Sequence, residues 1–289
     1  MRASSKLRRL LTEPGIIVAP GCYDALTARL IQHAGFKCAY MSGGSTSATY
    51  LGMPDIGLIT MTEMTTVGRN IALAVDIPVF GDMDTGFGAP INVRRAVREF
   101  ESTGLAGVHI EDQITEKHCG HMAGKALVSV DEMVQKIRAA VEARQDPDFV
   151  LIARTDAIPV EGLESALERG RRYAQAGADV LYMEAPTSVD EIRAMPPALP
   201  APILIGQPEN GVTPFLTPRE LEALGVKIVT YPRSIRLMMV RGALDALHEI
   251  QEHGTTRRLA GRMVHDEELQ LIIGTPEASE LNARYSPQH

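Results

Sequence analysis

Residues 101–113, E-S-T-G-L-A-G-V-H-I-E-D-Q, contain the unit that decides the fold of this chain. A polar, helix-like segment ends at Gly104, and an apolar run over 107–111 follows it and finishes on Glu111. Glycine readily adopts the left-handed backbone conformation that ends many helices, and a short apolar run is typical of a strand buried in a parallel sheet. The stretch therefore predicts a helix, a turn and a buried strand whose last side chain is a carboxylate.

The same order of helix, turn and strand recurs along the chain. Candidate strands cover 16–19, 38–41, 78–82, 107–111, 150–154, 180–184, 203–205 and 228–231. Candidate helices lie near 23–34, 61–75, 91–103, 131–144, 161–176, 188–194, 217–224 and 233–252. Repeated strand–helix units predict an α/β fold, a (β/α)8 TIM barrel. A doubly wound open sheet is the alternative, but no G-x-G-x-x-G follows the first strand.

The composition is that of a globular protein with one large core, at 289 residues with 45% hydrophobic and 22% charged side chains. A net charge of -7 without a basic stripe argues against a nucleic-acid or membrane partner. Three widely spaced cysteines form neither a disulfide framework nor a CxxC site. With no membrane-length apolar run and no secretion signal, we expect a cytoplasmic protein. We expect one domain, with the barrel over about 15–252 and a C-terminal helical extension over about 253–289.

Polar side chains stand at the predicted carboxyl ends of four strands, at Asp82, Glu111, Arg154 and Glu184. That end of a TIM barrel carries the active site. Because side chains alternate along a strand, His109 and Glu111 share one face. The four polar ends are therefore expected to converge above the core.

A carboxylate cluster is predicted from Asp82, Asp84 and Glu111, which lie on two successive strand ends. Carboxylate oxygens suit Mg²⁺ or Mn²⁺. The alternative is two turn aspartates and a paired glutamate, but several buried carboxylates in one place need a cation or a changed protonation state. Asp55 is either an outer contact of the metal or a turn residue. We predict a metal site.

Residues 117–121, K-H-C-G-H, place one thiol among basic side chains in a predicted loop over 112–130. A thiol with a pKa of about 8.5 keeps its proton near neutral pH until a strong carbanion takes it. We predict that Cys119 is a proton donor on a mobile lid, with an ordinary buried cysteine as the alternative. Lys117 and His121 would supply positive charge to a leaving anion.

Anion-binding groups follow other predicted strands. Ser42-Gly43-Gly44 offers consecutive backbone N–H groups, which suit a carboxylate; a plain loop is the alternative. Tyr40 is a candidate base or a core residue. Arg154 suits a carboxylate clamp because guanidinium donates two parallel hydrogen bonds, or else it forms a structural ion pair with Glu184 or Asp82.

The later strand ends add three further candidates. Glu184 would orient the arginine or a metal-bound water. Glu209 and Thr213 lie in the loop after the seventh predicted strand, where they are candidate substrate contacts or ordinary turn residues. Taken together, the constellation indicates a metal-assisted carbon–carbon lyase.

These motifs, in this order, resemble the isocitrate lyase and phosphoenolpyruvate mutase superfamily over nearly the whole chain. The resemblance is carried by the stretches 42–44, 82–88, 110–113, 117–121 and 153–157. The lyase branch has the signature Lys-(Lys/Arg)-Cys-Gly-His, from which only His118 departs, and the phosphonomutase branch lacks the cysteine. The pattern is similar to that of lyases acting on 2-methylisocitrate and 2,3-dimethylmalate.

The resemblance implies a Mg²⁺ cofactor, with Mn²⁺ possible in its place. Asp82 would bind the metal directly, with Asp84 and Glu111 acting mainly through bound waters. It further implies a 2-oxo-acid product held by residues from two strand ends, namely Ser42, Gly43, Gly44 and Arg154. A homotetramer, a dimer of dimers that exchange a C-terminal helix, would account for the long tail.

The resemblance also implies how protons move. Tyr40 would take the hydroxyl proton of the substrate, and Cys119 would protonate the leaving carbanion. Lys117, Gly120 and His121 would arrive with the closing loop.

Three positions depart from the methylisocitrate lyase pattern, which has Asn, Thr and Leu where this chain has Gly206, Pro208 and Arg233. These positions help to shape the pocket for the distal part of the substrate. Arg233 is a candidate clamp for an anionic group or a surface residue at a helix start. The resemblance therefore implies the reaction type more firmly than the substrate.

The predicted reaction cleaves a substituted 2-hydroxy di- or tricarboxylate to pyruvate and a carboxylic acid. Within enzymes, the alternatives are an oxaloacetate decarboxylase or hydrolase and a phosphonopyruvate-type mutase on the same scaffold. The alternative from another class is a non-catalytic barrel that binds a 2-oxo acid. A disrupted metal and thiol set would favour that last alternative, and in this sequence the set is complete.

Overall fold

The barrel is formed by eight parallel strands in a computed structural model that describes residues 1–115, 117, 118, 120 and 124–286. The strands are β1 (Ile17–Cys22), β2 (Ala39–Met41), β3 (Val79–Asp82), β4 (Gly107–Glu111), β5 (Val150–Thr155), β6 (Val180–Met183), β7 (Ile203–Gly206) and β8 (Ile228–Tyr231). Each strand pairs with the next in chain order, and β1 closes the barrel against β8. The predicted TIM barrel is confirmed, and the open sheet is excluded.

Helices alternate with the strands along the first 234 residues and continue into the tail. They are α1 (Ala3–Thr12), α2 (Ala25–His33), α3 (Gly43–Thr46), α4 (Met61–Ala74), α5 (Pro90–Ser102), α6 (Val130–Ala143), α7 (Ile158–Glu161), α8 (Leu163–Gln175), α9 (Val189–Ala198), α10 (Pro218–Ala223), α11 (Ser234–His253), α12 (Asp266–Ile273) and α13 (Thr275–Tyr285). A π-helical turn (Ser47–Leu51) and a 3₁₀-helix (Arg257–Arg262) complete the set. The helices α1, α3 and α7 were not predicted from the sequence, whereas α12 and α13 lie in the predicted C-terminal helical extension.

Local side-chain chemistry explains where the helices begin and end. Asp24 accepts a hydrogen bond of 2.7 Å from the backbone N–H of Thr27, which caps α2. Thr60 and Glu63 form a reciprocal capping box at the start of α4. Gly104, after α5, has a φ of 92°, so the predicted glycine end of that helix is confirmed.

The interior of the barrel is apolar below its carboxyl end. Inward side chains of successive strands pack into one buried cluster that includes Ala19, Tyr40, Phe80, Ile152, Tyr182 and Leu204. Leu7 of α1 belongs to the same cluster and is fully buried. Helix α1 therefore closes the amino-terminal end, and the polar chemistry is left to the carboxyl end.

The chain separates into two compact units, Met1–Ser234 and Ile235–His289. In the second unit, the long helix α11 exposes apolar side chains, among them Met238, Val240 and Leu247. The predicted exchange of a C-terminal helix between subunits stays a prediction. None of the described helices has the length and apolar character needed to cross a membrane.

Candidate active site

The polar ends of four neighbouring strands meet at the carboxyl end of the barrel, as predicted. Asp82 on β3, Glu111 on β4 and Arg154 on β5 are buried, and Glu184, directly after β6, is buried beside them. The strand register places Glu111 opposite Arg154. Since parallel strands present these ends at one face, residues far apart in sequence form a single site.

Lys117 provides the positive charge nearest to the aspartates. Its ammonium contacts Asp84 and lies 2.8 Å from the Oδ1 of Asp55. Burial alone would lower the pKa of Lys117, but the charges of Asp84, Glu111 and Asp55 outweigh it and hold the pKa well above its ordinary value. The lysine is therefore a fixed cation within the carboxylate cluster.

The carboxylates of this cluster are costly to ionise together. Burial raises the pKa of Asp84 to about 6, against the opposing effect of Lys117. Burial likewise raises the pKa values of Asp82 and Glu111. Six carboxylates of the site (Asp55, Asp82, Asp84, Glu111, Asp156 and Glu184) face three cations (Lys117, Lys125 and Arg154). A further positive charge is needed to ionise the full set.

These carboxylates suit a divalent cation that keeps several of its waters, rather than one that is surrounded entirely by protein ligands. In the part of the chain that the structure describes, no three His, Cys, Asp or Glu side chains form a ready metal cage. Glu111 nevertheless buries its Oε1, which has no hydrogen-bond partner among the described residues. Mg²⁺ commonly keeps several waters and takes few protein ligands. Asp82, Asp84 and Glu111 fit an ion of that kind.

Glycines 43 and 44 bring the backbone against two of these aspartates. A Cβ at Gly43 would lie 2.5 Å from the Oδ2 of Asp82, and one at Gly44 would lie 2.6 Å from the Oδ2 of Asp55. The N–H of Gly43 donates to Asp82 at 3.1 Å, while the hydroxyl of Ser42 caps α3 by accepting from the N–H of Ser45 at 3.3 Å. A carboxylate bound at Gly43 would therefore share this N–H with Asp82.

The partner of Tyr40 is His109, which was predicted from the sequence only to share a face of its strand with Glu111. The hydroxyl of Tyr40 lies 2.8 Å from the Nε2 of His109 and 3.4 Å from Asp82. Burial, followed by the charge of Arg154, lowers the pKa of His109 to about 3, so its imidazole is neutral. The neutral imidazole either accepts a hydrogen bond from the tyrosine hydroxyl or donates one to it, according to its tautomer. The sequence signal for this pair was the alternation of side chains along β4, which places His109 on the same face as Glu111.

Arg154 is anchored mainly by a carboxylate that the sequence analysis did not weigh. Its Nε and Nη2 donate to the two oxygens of Asp156 at 2.9 and 3.0 Å. Glu111 lies 3.4 Å away and Glu184 lies 3.6 Å away. The ion pair with Glu184, one of the alternatives considered, is present but longer. The two hydrogen bonds to Asp156 set the orientation of the guanidinium.

Lys125 links the loop after β4 to this arginine. Its ammonium contacts the carbonyl of Gly120 and lies 3.3 Å from the Oδ1 of Asp156. A Cβ at Gly120 would fall less than 3.0 Å from both Arg154 and Glu184, so a larger residue there would displace these two side chains. Sequence reasoning missed Lys125, because a lysine in a polar loop gives no sign that it will be buried.

The base of the loop is tied by short backbone pairing. Gln113 and Leu127 form an antiparallel bridge. The side-chain amide of Gln113 also accepts from the N–H of His118 and donates to its carbonyl, both at 2.9 Å. Cys119 and His121, the predicted proton donor and its basic neighbour, lie outside the described residues, and their roles stay predictions.

A second buried network supports the site from behind. Asp112 accepts hydrogen bonds from the hydroxyls of Thr155 and Tyr173 at 2.7 and 2.8 Å, and from the N–H of Asp156 at 3.0 Å. Arg169 lies 3.3 Å from Asp112. This network fixes the backbone that carries the arginine anchor.

The loop after β7 carries the remaining candidates. The carboxylate of Glu209 accepts from Ser234, and its carbonyl accepts from Arg233 at 3.3 Å. Thr213 is buried, and its hydroxyl has no partner among the described residues. Arg233 is thus half-buried against this loop, and Thr213 retains an unused hydrogen-bonding group.

Known proteins of similar sequence match nearly the whole chain. The family model for phosphoenolpyruvate phosphomutase matches residues 7–251. A 2,3-dimethylmalate lyase from Eubacterium barkeri is 41% identical over 286 residues, 99% of each chain. A 2-methylisocitrate lyase from Aeropyrum pernix is 41% identical over 97% of this chain and 90% of its own.

Two solved structures are similar to this chain over nearly their whole length. Oxaloacetate acetylhydrolase in complex with the inhibitor 3,3-difluorooxalacetate has a TM-score of 0.94 at 37% identity, covering 99% of this chain and 98% of its own. A phosphonopyruvate hydrolase complex with oxalate and Mg²⁺ has a TM-score of 0.89 at 31% identity, covering 99% of each chain.

Proposed function

This chain belongs to the phosphoenolpyruvate mutase/isocitrate lyase superfamily and is a carbon–carbon lyase, and we propose that it cleaves substituted 2-hydroxy di- or tricarboxylates of the alkylmalate or 2-methylisocitrate type. The products would be pyruvate and a second carboxylic acid. The observation that carries the proposal is the buried set of carboxylates and cations at the carboxyl end of the barrel. Full-length relatives named as lyases support the same reaction class.

Mg²⁺ would be held by Asp82, Asp84 and Glu111. Asp55 lies close to them because it forms an ion pair with Lys117, which also contacts Asp84. When bound, Mg²⁺ would acidify the substrate hydroxyl and stabilise the charge that develops as the carbonyl forms. Three features support a cation here: the excess of carboxylates, their raised pKa values and the unpartnered oxygen of Glu111. A related phosphonopyruvate hydrolase has been solved with Mg²⁺ and oxalate.

The 2-hydroxy-acid half of the substrate would bind between Arg154 and the backbone at 42–44. Arg154 is already oriented by Asp156, so its guanidinium loses little freedom when it binds a carboxylate. Tyr40, as its phenolate, would take the hydroxyl proton, and the neutral imidazole of His109, 2.8 Å away, would stabilise that phenolate by donating a hydrogen bond from Nε2. Proton removal from the oxygen starts the cleavage.

The bond between the second and third carbons then breaks, and its electron pair moves to the leaving fragment. That fragment is a doubly charged enolate, which Lys117 and His121 would stabilise with positive charge. Cys119 would complete the reaction by giving its thiol proton to carbon. The substrate thus loses one O–H proton and the product gains one C–H proton, with no external oxidant or reductant.

A second candidate function is the hydrolysis of oxaloacetate. The structural match to oxaloacetate acetylhydrolase, with a TM-score of 0.94, favours it. In that reaction water would attack a carbonyl carbon, so the product beside the released acid would be oxalate rather than pyruvate. The two activities are therefore separated by their products.

The activity test is a substrate panel with Mg²⁺, comprising 2-methylisocitrate, 2,3-dimethylmalate, 2-methylmalate, oxaloacetate and phosphonopyruvate. Mass spectrometry would identify the co-product of each reaction. Equal amounts of pyruvate and a carboxylic acid, both abolished by EDTA, are expected for at least one hydroxy acid. Turnover of oxaloacetate alone would replace the lyase with the second candidate, and absence of any turnover would leave a binding protein.

We propose that the working form is a homotetramer, a dimer of dimers, in the cytoplasm. The apolar side chains that α11 exposes support an oligomer, because such residues are more often covered. Light scattering after size-exclusion chromatography measures the assembly. A mass close to 31.4 kDa would contradict the proposal.

A further inference from the structure

Gly206, at the end of β7, lacks a side chain for reasons of space. It is not among the residues with a left-handed backbone, so its conformation does not require glycine. A Cβ at this position would lie less than 3.0 Å from the hydroxyl oxygen of Tyr182 and 3.5 Å from the Oε2 of Glu184. The hydroxyl of Tyr182 therefore fills the volume that a side chain at position 206 would occupy.

Tyr182 also reaches the other side of the site. The guanidinium of Arg154 stacks over its ring, with 5.1 Å between the Cζ atom and the ring centroid. The ring meets the imidazole of His109 edge-on, with 5.5 Å between centroids. Tyr182 thus contacts Arg154, which is the proposed carboxylate clamp, and also His109 and Gly206.

The hydroxyl of Tyr182 remains a neutral donor. Burial, followed by the negative charge of Glu184, raises the pKa of Tyr182 well above its ordinary value. Glu184 and Thr230 lie beside this hydroxyl. The surface beside Gly206, called the wall below, therefore consists of the phenol of Tyr182 next to the carboxylate of Glu184.

We propose that Tyr182 is a specificity-determining residue, whose hydroxyl, admitted by Gly206, limits the group that the substrate carries on its third carbon. The inference rests on the proposed function, because it takes Arg154 as the clamp for the other end of the substrate. A short uncharged substituent fits beside a phenol and a carboxylate. A larger substituent, such as the carboxymethyl group of 2-methylisocitrate, would overlap the phenol, so dicarboxylates are favoured over tricarboxylates.

The test compares kcat/KM for 2,3-dimethylmalate and 2-methylisocitrate in the wild type and in Tyr182→Phe. Loss of the hydroxyl enlarges the pocket at position 206, so the preference for the dicarboxylate is expected to fall by about 10-fold. Tyr173→Phe is the matched control, because it removes a buried tyrosine hydroxyl that binds Asp112 rather than the wall. That variant is expected to keep the wild-type preference.

A second pair of variants tests the shared volume directly. Gly206→Ala alone is expected to lower kcat/KM for both substrates by about 10-fold, since its methyl group would overlap the Tyr182 hydroxyl. Tyr182→Phe/Gly206→Ala should recover much of that loss because the obstructing oxygen is gone. An unchanged preference in a folded Tyr182→Phe variant would overturn the inference while leaving the lyase intact. A wild type that cleaves neither hydroxy acid would overturn the proposed function, and this inference with it.

Discussion

The β3–β4 side and the β7–β8 side of the barrel mouth differ in how their buried polar groups are held. On the first side, Asp82 accepts hydrogen bonds from the N–H groups of Gly43 and Asp84, and Asp84 contacts Lys117. On the second side, the hydroxyl of Thr213 and the amide oxygen of Gln207 have no partner among the described residues. The first side also has an unpartnered atom, the Oε1 of Glu111, but that atom belongs to a carboxylate, which suits a cation. The comparison teaches that the first side is organised around charged groups, whereas the second offers uncharged hydrogen-bonding groups for a substrate.

This difference separates reaction from specificity. Densely paired charges suit a metal and proton transfers that are common to many substrates. Unpaired hydrogen-bonding groups and a wall shaped by Tyr182 suit recognition of one substituent. Changes on the first side are therefore expected to lower turnover for every substrate, and changes on the second side to alter the preference between substrates.

The largest expected loss is from Cys119→Ala. Removing the general acid should lower kcat by about 10²- to 10⁴-fold, because protonation of carbon would then depend on water. Mg²⁺ and pyruvate binding, measured by calorimetry, should stay near the wild-type values. Cys119→Ser keeps the shape of the side chain and should be similarly impaired. Full turnover in the alanine variant would exclude the assigned role.

Tyr40→Phe is expected to lower kcat by about 100-fold, since the group that takes the hydroxyl proton is removed. The loss should be similar for 2,3-dimethylmalate and 2-methylisocitrate, because both present the same hydroxyl. A matched comparison is Tyr182→Phe, which is expected to change the preference rather than mainly kcat. Equal effects of the two variants on preference would remove the distinction between the two sides.

Mg²⁺ affinity is expected to depend on pH through Asp84, whose folded pKa is about 6. Below that pH the carboxylate holds a proton that must leave before a metal binds, so affinity should fall by about tenfold per pH unit for each proton displaced. The raised pKa also means that this group stabilises the metal-free fold below about pH 4, a contribution lost as pH rises through about 6. Calorimetric titrations at pH 5, 6, 7 and 8 test the first effect, and pH-independent affinity would contradict it.

Lys125→Met should have the smallest effect of this set, a decrease in kcat of about fivefold. The variant removes the ammonium that joins Gly120 to Asp156 but leaves the hydrogen bonds of Arg154 to Asp156 in place. Lys37→Met, which alters an exposed lysine, is the matched control and should behave as wild type. A loss as large as that of Cys119→Ala would show that Lys125 takes a direct part in the reaction.

The fold was readable from the sequence wherever apolar runs alternate with capped helices. The strands over 107–111 and 228–231 have the predicted bounds. Helix α1 was missed, although Leu7, Leu10 and Leu11 have helical spacing and lie on or against the barrel cluster. Its role depends on covering the end of a barrel that other residues build, which a local pattern does not reveal.

The site could be predicted as a set of residues but not as a set of pairings. Placement at strand ends identified Asp82, Glu111, Arg154 and Glu184 because barrel geometry brings those ends together. The pairing of Arg154 with Asp156, and that of Lys125 with Gly120, depends on loop paths that sequence alone does not give. Competition for one volume between Tyr182 and Gly206 is likewise a property of packing, and no local signal encodes it.

Cleavage of 2,3-dimethylmalate in D₂O, followed by NMR, tests the central claim most directly. The account predicts equal amounts of pyruvate and propionate, with one deuterium on the second carbon of propionate in a single configuration, because an enzyme group delivers the proton to one face. A mixture of both configurations would show that the carbanion reaches solvent unprotonated. Absence of pyruvate from this and every other hydroxy acid would contradict the assignment of a carbon–carbon lyase.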